Sequence, residues 1–221
     1  MTGPAAPPSS ARAPLPDRLA QGDWWKEEDL PLEWGRWIPD AALHVEIGFG
    51  EGEFLLWSAA RHPGEGFVGV ERYAEGHRAL VKSAARAGLG NVLSMVGDAY
   101  ILMNLAFADA SLDSVTVNFP DPWPKARHAR RRLLSREFFG LCARKLHPGG
   151  LLRAATDDRP LAEQAAGAFA ATPDLVSSHP EVPWLDASPN PVRTRYETKW
   201  LREGRPLHYF LHRRREVPCP T

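Results

Sequence analysis

The sequence predicts an α/β fold, with a mostly parallel central sheet, helices on both of its faces, and an antiparallel edge made by late strands. Three observations point there. Short apolar or β-branched runs alternate with helical stretches from Leu43 to Ala171, and strands separated by helices pair in parallel because each crossover returns the chain to the same end of the sheet. A glycine-rich turn follows the first run. Acidic residues stand at or just past the ends of five runs: Glu46, Glu71, Asp98, Asp121 and Asp157. In open sheets of this kind ligands bind in the crevice beyond the carboxyl ends of the strands, so these acids converge on one place.

At 221 residues and 43% hydrophobic the chain is long enough for one full-sized domain. Residues 1–20 are rich in Pro, Ala and Ser with little to bury, and are expected to be a disordered tail. Residues 21–40 carry Trp24, Trp25, Trp34 and Trp37; indoles this dense can stack on bases, but packing over the main domain as a strap is the favoured expectation. The main domain runs over 41–215, and 216–221 form a C-terminal tail. Within it, 43–47 reads as the first strand, 48–52 as the glycine turn, and 53–61 as a helix. A strand at 67–71 leads into a helix over 74–87, which Gly88 and Gly90 stop. The third strand is 91–96, followed by Gly97-Asp98 and another helix, and 114–117 is the fourth. Ser135 has the chemistry of an N-cap, with Leu134 and Phe139 spaced as a hydrophobic staple, and Gly149-Gly150 is expected to end that helix. The fifth strand, 151–155, closes on Thr156-Asp157-Asp158 before a helix over 160–171. Strands near 192–198 and 207–212 are expected to supply the antiparallel edge.

The glycine turn is a weak signal taken alone, because dinucleotide enzymes and methyltransferases share it. A dinucleotide would set its pyrophosphate on the N-terminus of the following helix, where free N–H groups and the helix dipole favour an anion. That position is flanked by Glu51 and Glu53, with Glu46 behind, and Glu53 occupies the place of the third glycine of G-x-G-x-x-G. Carboxylates there suit a cationic ligand without phosphate, and S-adenosylmethionine carries a sulfonium and an ammonium. Glu71 is then placed for ribose hydroxyls and Asp98 for the adenine amino group.

Residues 118–132 read Asn-Phe-Pro-Asp-Pro-Trp-Pro-Lys-Ala-Arg-His-Ala-Arg-Arg-Arg. Pro120, Pro122 and Pro124 fix φ and bias their neighbours toward extended backbone, which stiffens the placement of Asp121 and Trp123. Lys125, Arg127, Arg130, Arg131 and Arg132 follow with no acid between them, whereas a solvated helix face normally mixes signs. Net charge is zero, yet basic residues concentrate at 125–136 and 193–215. A rigid carboxylate and a ring beside a cationic strip point to nucleic acid. Cys142 and Cys219 make no disulfide framework, no stretch approaches a membrane span, and no apolar leader opens the chain, so a cytoplasmic location is expected. The histidines show no metal-ligand spacing, and no metal, membrane or obligate protein partner is expected.

Glu46-Ile-Gly48-Phe-Gly50, Phe119-Pro-Asp121-Pro-Trp-Pro-Lys125 with its basic continuation, Ala155-Thr-Asp157, and Thr194-Arg195-Tyr196-Glu197-x-Lys199 resemble, in order and at similar separations, the bacterial tRNA (guanine-N7)-methyltransferase family. The resemblance covers roughly residues 40 to 213. Its most specific part is the Pro-Asp-Pro-Trp loop; the glycine turn by itself marks only the broad class of Rossmann-like methyltransferases. The resemblance implies transfer of a methyl group from S-adenosylmethionine to guanine N7 in the tRNA variable loop. It implies a cofactor site at Glu46, Gly48, Gly50, Glu71, Asp98 and Asp121, with Asp121 also catalytic. Substrate binding falls to Lys125, Asp157, Thr194, Arg195, Tyr196 and Glu197, and RNA contact to Arg127, His128, Arg130, Arg131 and Arg132. The chain departs from the family at Pro124, where His is common, at Ala126, where Lys is common, and at Arg72, where a less charged residue is usual. The alternatives are a small-molecule methyltransferase of the same fold and a non-catalytic RNA-binding module.

Overall fold

The structure, a computed structural model, describes residues 30–39, 41–190 and 192–216; Trp24, Trp25, Cys219 and the tail expected over 1–20 lie outside these. Its strands are β1 (Leu43–Ile47), β2 (Gly66–Glu71), β3 (Val92–Val96), β4 (Leu112–Asn118), β5 (Leu146–Thr156), β6 (Leu175–Ser177) and β7 (His208–Arg214). They form one sheet in the order β3-β2-β1-β4-β5-β7-β6. The first five are parallel, and β7 runs antiparallel to both β5 and β6. Helices α1 (Glu53–Arg61), α2 (Ala74–Arg86), α3 (Ala99–Ala106), α4 (Arg136–Lys145), α5 (Arg159–Ala170) and α6 (Arg195–Arg202) complete the set.

Residues of the central strands alternate between the two faces, as a pleated backbone requires. Val68 and Val70 of β2 join the larger core with Leu102 and Met103 of α3, Phe138 and Leu141 of α4, and Leu161 and Phe169 of α5. Phe67, the residue before Val68, turns to the other face and packs with Leu55 of α1 and Leu80 of α2. Trp34 is buried and stacks on Phe107, with ring centroids 4.9 Å apart, so this indole closes the base of the larger core.

Helix starts follow local chemistry. Asp98, Ser135, Asp158 and Thr194 each accept a backbone amide from the first turn of the helix they precede, a cap worth about 0.5–2 kcal/mol. Leu134 and Phe139 are both fully buried, the staple expected beside Ser135.

Three expectations are corrected. Residues 192–198 do not form a strand: α6 occupies most of them, because Thr194 caps it, its Oγ1 accepting the Glu197 amide at 3.2 Å. The antiparallel edge is instead β7 with the short β6, which the sequence reading left out. Gly149-Gly150 does not end α4, which stops at Lys145 ahead of Pro148; both glycines lie inside β5. A Cβ on Gly150 would come within 2.9 Å of the His147 carbonyl oxygen, so the glycine lets that strand run close to its own backbone. No helix among the described residues is long and apolar enough to cross a membrane.

Candidate active site

The strand order reverses between β1 and β4, and there the two strand ends are tied together. Asn118, the last residue of β4, donates from Nδ2 to Oε1 of Glu46 in β1 at 3.1 Å. Glu46 is 3% exposed, and its Oε2 has no partner among the described residues. Burial pushes its carboxyl up to about 8, against the opposing pull of the Asn118 hydrogen bond; the nearby charges of Glu53 and Glu71 add to the rise.

A cleft of about 420 Å³ opens over this point. Glu46, the glycine turn and Glu53 form one wall, Asn118 and Phe119 the floor, and Thr194, Arg195, Tyr196 and Lys199 the opposite wall. The turn is held from below. Glu71 takes the amide of Gly50 on Oε2 at 3.2 Å, and those of Arg72 and Tyr73 on Oε1 at 2.7 and 3.1 Å. Gly76 lets α2 approach, since a Cβ there would come within 2.8 Å of the Gly50 carbonyl oxygen. Gly52 enters α1 at φ +76°, a left-handed conformation that side chains resist.

Arg195 closes the far side. Its backbone amide donates to Glu53 Oε2 at 2.6 Å, and its guanidinium pairs with Glu51 at 2.7 Å and Glu53 at 2.8 Å. The acids beside the glycine turn are therefore answered by α6, which the sequence reading did not anticipate.

The Pro-Asp-Pro-Trp loop leaves the floor at Phe119. Phe119 and Trp123 hold φ at +50° and +44°, sparsely populated backbone that costs on the order of 1–3 kcal/mol and persists only where surrounding structure enforces it. Two sets of contacts do so here. The Phe119 amide donates to the Ala155 carbonyl at 2.8 Å, and its ring lies 5.1 Å from Tyr196. Arg132 donates from Nε to the Pro122 and Trp123 carbonyls at 3.0 and 3.2 Å, and from an amino group to Gln164 at 2.6 Å. Arg132 is thus a strut that fixes the loop, while Arg131 lies over the Trp123 ring at 4.8 Å. Lys125, Arg127 and Arg130 are exposed along a 3-10 turn, Ala126–Arg131, with His128 edge-on to Trp123.

The predicted residues separate into groups. Glu46, Gly48, Gly50, Thr194, Arg195 and Tyr196 line the cleft directly, and Glu71 supports it through Gly50. Asp121 lies two residues beyond the lining Phe119, exposed and without hydrogen bond or ion pair among the described residues. Asp157 meets the site through Tyr196, whose hydroxyl donates to it at 3.3 Å. Glu197 does not face the cleft freely: it is 1% exposed and accepts from the buried Tyr209 hydroxyl at 2.7 Å. Burial, reinforced by Glu197, raises the Tyr209 phenol. Asp98 spends Oδ1 on the α3 amides of Tyr100 and Ile101. Asn118 and Phe119 carry no sequence signal for the cleft beyond their place at the end of a buried strand.

A sheet in this order, parallel except where β7 pairs, with an acid at the end of β2 holding the glycine turn after β1, has the architecture of a Rossmann-like methyltransferase. Solved structures agree on that fold. The antibiotic-resistance methyltransferase Kmr is 22% identical with a TM-score of 0.52, over 86% of this chain and 94% of its own. A geranyl diphosphate C-methyltransferase from Streptomyces coelicolor, solved with S-adenosyl-L-homocysteine, has a TM-score of 0.54 at 16% identity, over 81% of this chain and 74% of its own. The family described as "Putative methyltransferase" matches residues 40–210. The chain belongs to the tRNA (guanine-N(7)-)-methyltransferase family: it is 40% identical to the Cereibacter sphaeroides protein of that name over 85% of this chain and 76% of the relative, and 42% identical to that of Paracoccus denitrificans over 80% and 73%.

Proposed function

We propose that this enzyme methylates N7 of a guanosine in the tRNA variable loop, with S-adenosylmethionine as donor and Asp121 as the catalytic carboxylate. One observation carries the reading. Glu46 and Asn118, 72 residues apart, bring the glycine turn and the start of the Pro-Asp-Pro-Trp loop to a single cleft.

The donor supplies a methyl group already activated on a sulfonium. Glu46 fits its ammonium, since a buried carboxylate oxygen without a partner gains most from a cation. Glu71 and the free oxygen of Asp98 stand at the strand ends where ribose and adenine are expected. Guanine N7 presents a lone pair, so no proton has to leave and no general base is required. The chain's work is then alignment, which can supply up to roughly 7–11 kcal/mol. Positive charge develops on the purine as N7 takes the methyl group, and a fixed carboxylate stabilises it. Asp121 suits that task because its carboxyl group is unshared and mounted on a braced loop. Asp157 and Tyr196 border the base, and Lys125, Arg127, Arg130 and Arg131 hold phosphates beside it.

The test is incubation of the protein with unmodified tRNA transcript and methyl-labelled donor, followed by nucleoside analysis. Labelled 7-methylguanosine is expected, and it disappears with Asp121→Ala. Labelled donor bound but no label in RNA would move the search to small-molecule acceptors.

A further inference from the structure

Because residues 195–202 form a helix and not a strand, their cations fall on one side of it. Arg195, Lys199 and Arg202 are spaced i, i+4, i+7, the spacing of one helical face. Together with Arg193 and Thr198 they line an open groove of about 450 Å³ that adjoins the active-site cleft and shares Arg195 and Lys199 with it. Solvated helix faces normally interleave acids with bases. Here the single acid within the helix, Glu197, is turned inward to Tyr209. Glu203, at the far end of the groove, is engaged by Arg205 at 3.6 Å. Arg193, Lys199 and Arg202 have no acidic partner among the described residues, and all three are exposed. Along the axis the three helical cations are roughly 6 and 4.5 Å apart, a spacing that matches neighbouring phosphates on one strand.

We infer that the α6 groove is a second phosphate track, distinct from the loop at 125–132 and on the cleft wall that faces the glycine turn. The inference rests on the tRNA reading above and deepens it. The substrate is gripped on both flanks of the target base, so the nucleotides on either side of the guanosine are held by separate elements. Arg195 sets the distance between the tracks and the reaction centre, because the guanidinium that opens the groove is also clamped to Glu51 and Glu53.

The test compares binding of unmodified tRNA transcript over a range of salt for three double variants of the full chain. Arg193→Ala with Arg202→Ala removes two cations of the α6 groove, one just ahead of the helix and one on it, that do not line the cofactor cleft; Arg127→Ala with Arg130→Ala removes two from the loop; Arg193→Lys with Arg202→Lys keeps the charge of the groove. Each lost phosphate contact lowers the log–log salt slope by about 0.7 on single-stranded RNA, so the alanine pair on α6 is expected to lower it by about 1.4. The lysine pair is expected to keep the slope, and the affinity for S-adenosylhomocysteine is expected to stay unchanged throughout. A slope that falls for the loop pair alone overturns the α6 track and leaves the tRNA reading standing. A slope that moves for neither pair overturns both.

Discussion

The glycine-turn wall of the cleft and the loop that leaves its floor are built on opposite terms. On the glycine-turn side, Glu46 and Glu71 are buried and Glu71 is spent on three backbone amides. On the side of the Pro-Asp-Pro-Trp loop, Asp121 is exposed and unshared, and the work of fixing its position falls to three prolines, Arg132 and two residues at positive φ. The wall fixes its carboxylates by burial; the loop fixes the backbone and leaves the carboxylate free. A ligand that must be recognised the same way every cycle suits the first arrangement. A large substrate that arrives, reacts and leaves suits the second.

The strongest challenge to this contrast is Asp121→Ala. Loss of a group that acts only as charge develops typically costs a hundredfold or more in kcat, and tRNA affinity is expected to hold because phosphates carry it. Single-turnover rates beside filter-binding constants read both; turnover within tenfold of wild type would place the chemistry elsewhere. Next comes the pH dependence of cofactor binding. Burial holds Glu46 at about 8 in the free protein, so it is protonated near neutral pH, and a cationic ligand draws the anion out. Affinity for S-adenosylhomocysteine therefore rises with pH up to about 8, by at most about tenfold per unit, and levels off above. Titration calorimetry should show proton release in that window, and Glu46→Gln should flatten the profile.

Smaller effects sharpen the line between structural and substrate-facing acids. Tyr209→Phe leaves the buried Glu197 oxygen unpaired and is expected to cost about 1–3 kcal/mol in chemical denaturation, with KM for tRNA little changed. A large rise in KM with intact stability would return Glu197 to base recognition. The smallest expected change belongs to Arg131→Ala, a fall of about 0.7–0.9 in the salt slope of tRNA binding. Arg132→Ala is expected to keep the slope and lower kcat, because Arg132 braces the loop through the Pro122 and Trp123 carbonyls.

The same contrast governs what was legible in the sequence. β1, the glycine turn and α1 were readable to the residue, since a buried strand, left-handed glycines and an amphipathic helix each leave a local pattern. The Pro-Asp-Pro-Trp loop was readable by its chemistry. The stretch at 192–198 looks like a strand because Thr194, Tyr196 and Thr198 alternate, while the Thr194 cap that starts the helix depends on one hydrogen bond. The bridge from Arg195 to Glu51 and Glu53 was invisible, as was the inward turn of Glu197: both are contacts between distant segments, and periodicity reports only neighbours.

That bridge also sets when the site comes into being during synthesis. Arg195 reaches back across 142 residues to Glu53. A ribosome has therefore made the glycine turn, Glu71 and Asp98 long before α6 emerges to face them. Until then the nascent chain holds the acids of the cofactor wall with nothing opposite, and long-range closure of this kind is slow to form. The cleft is completed by a late segment of the domain rather than built up along it, so a chain that ends before α6 lacks one wall of the cleft even where its first five strands have folded.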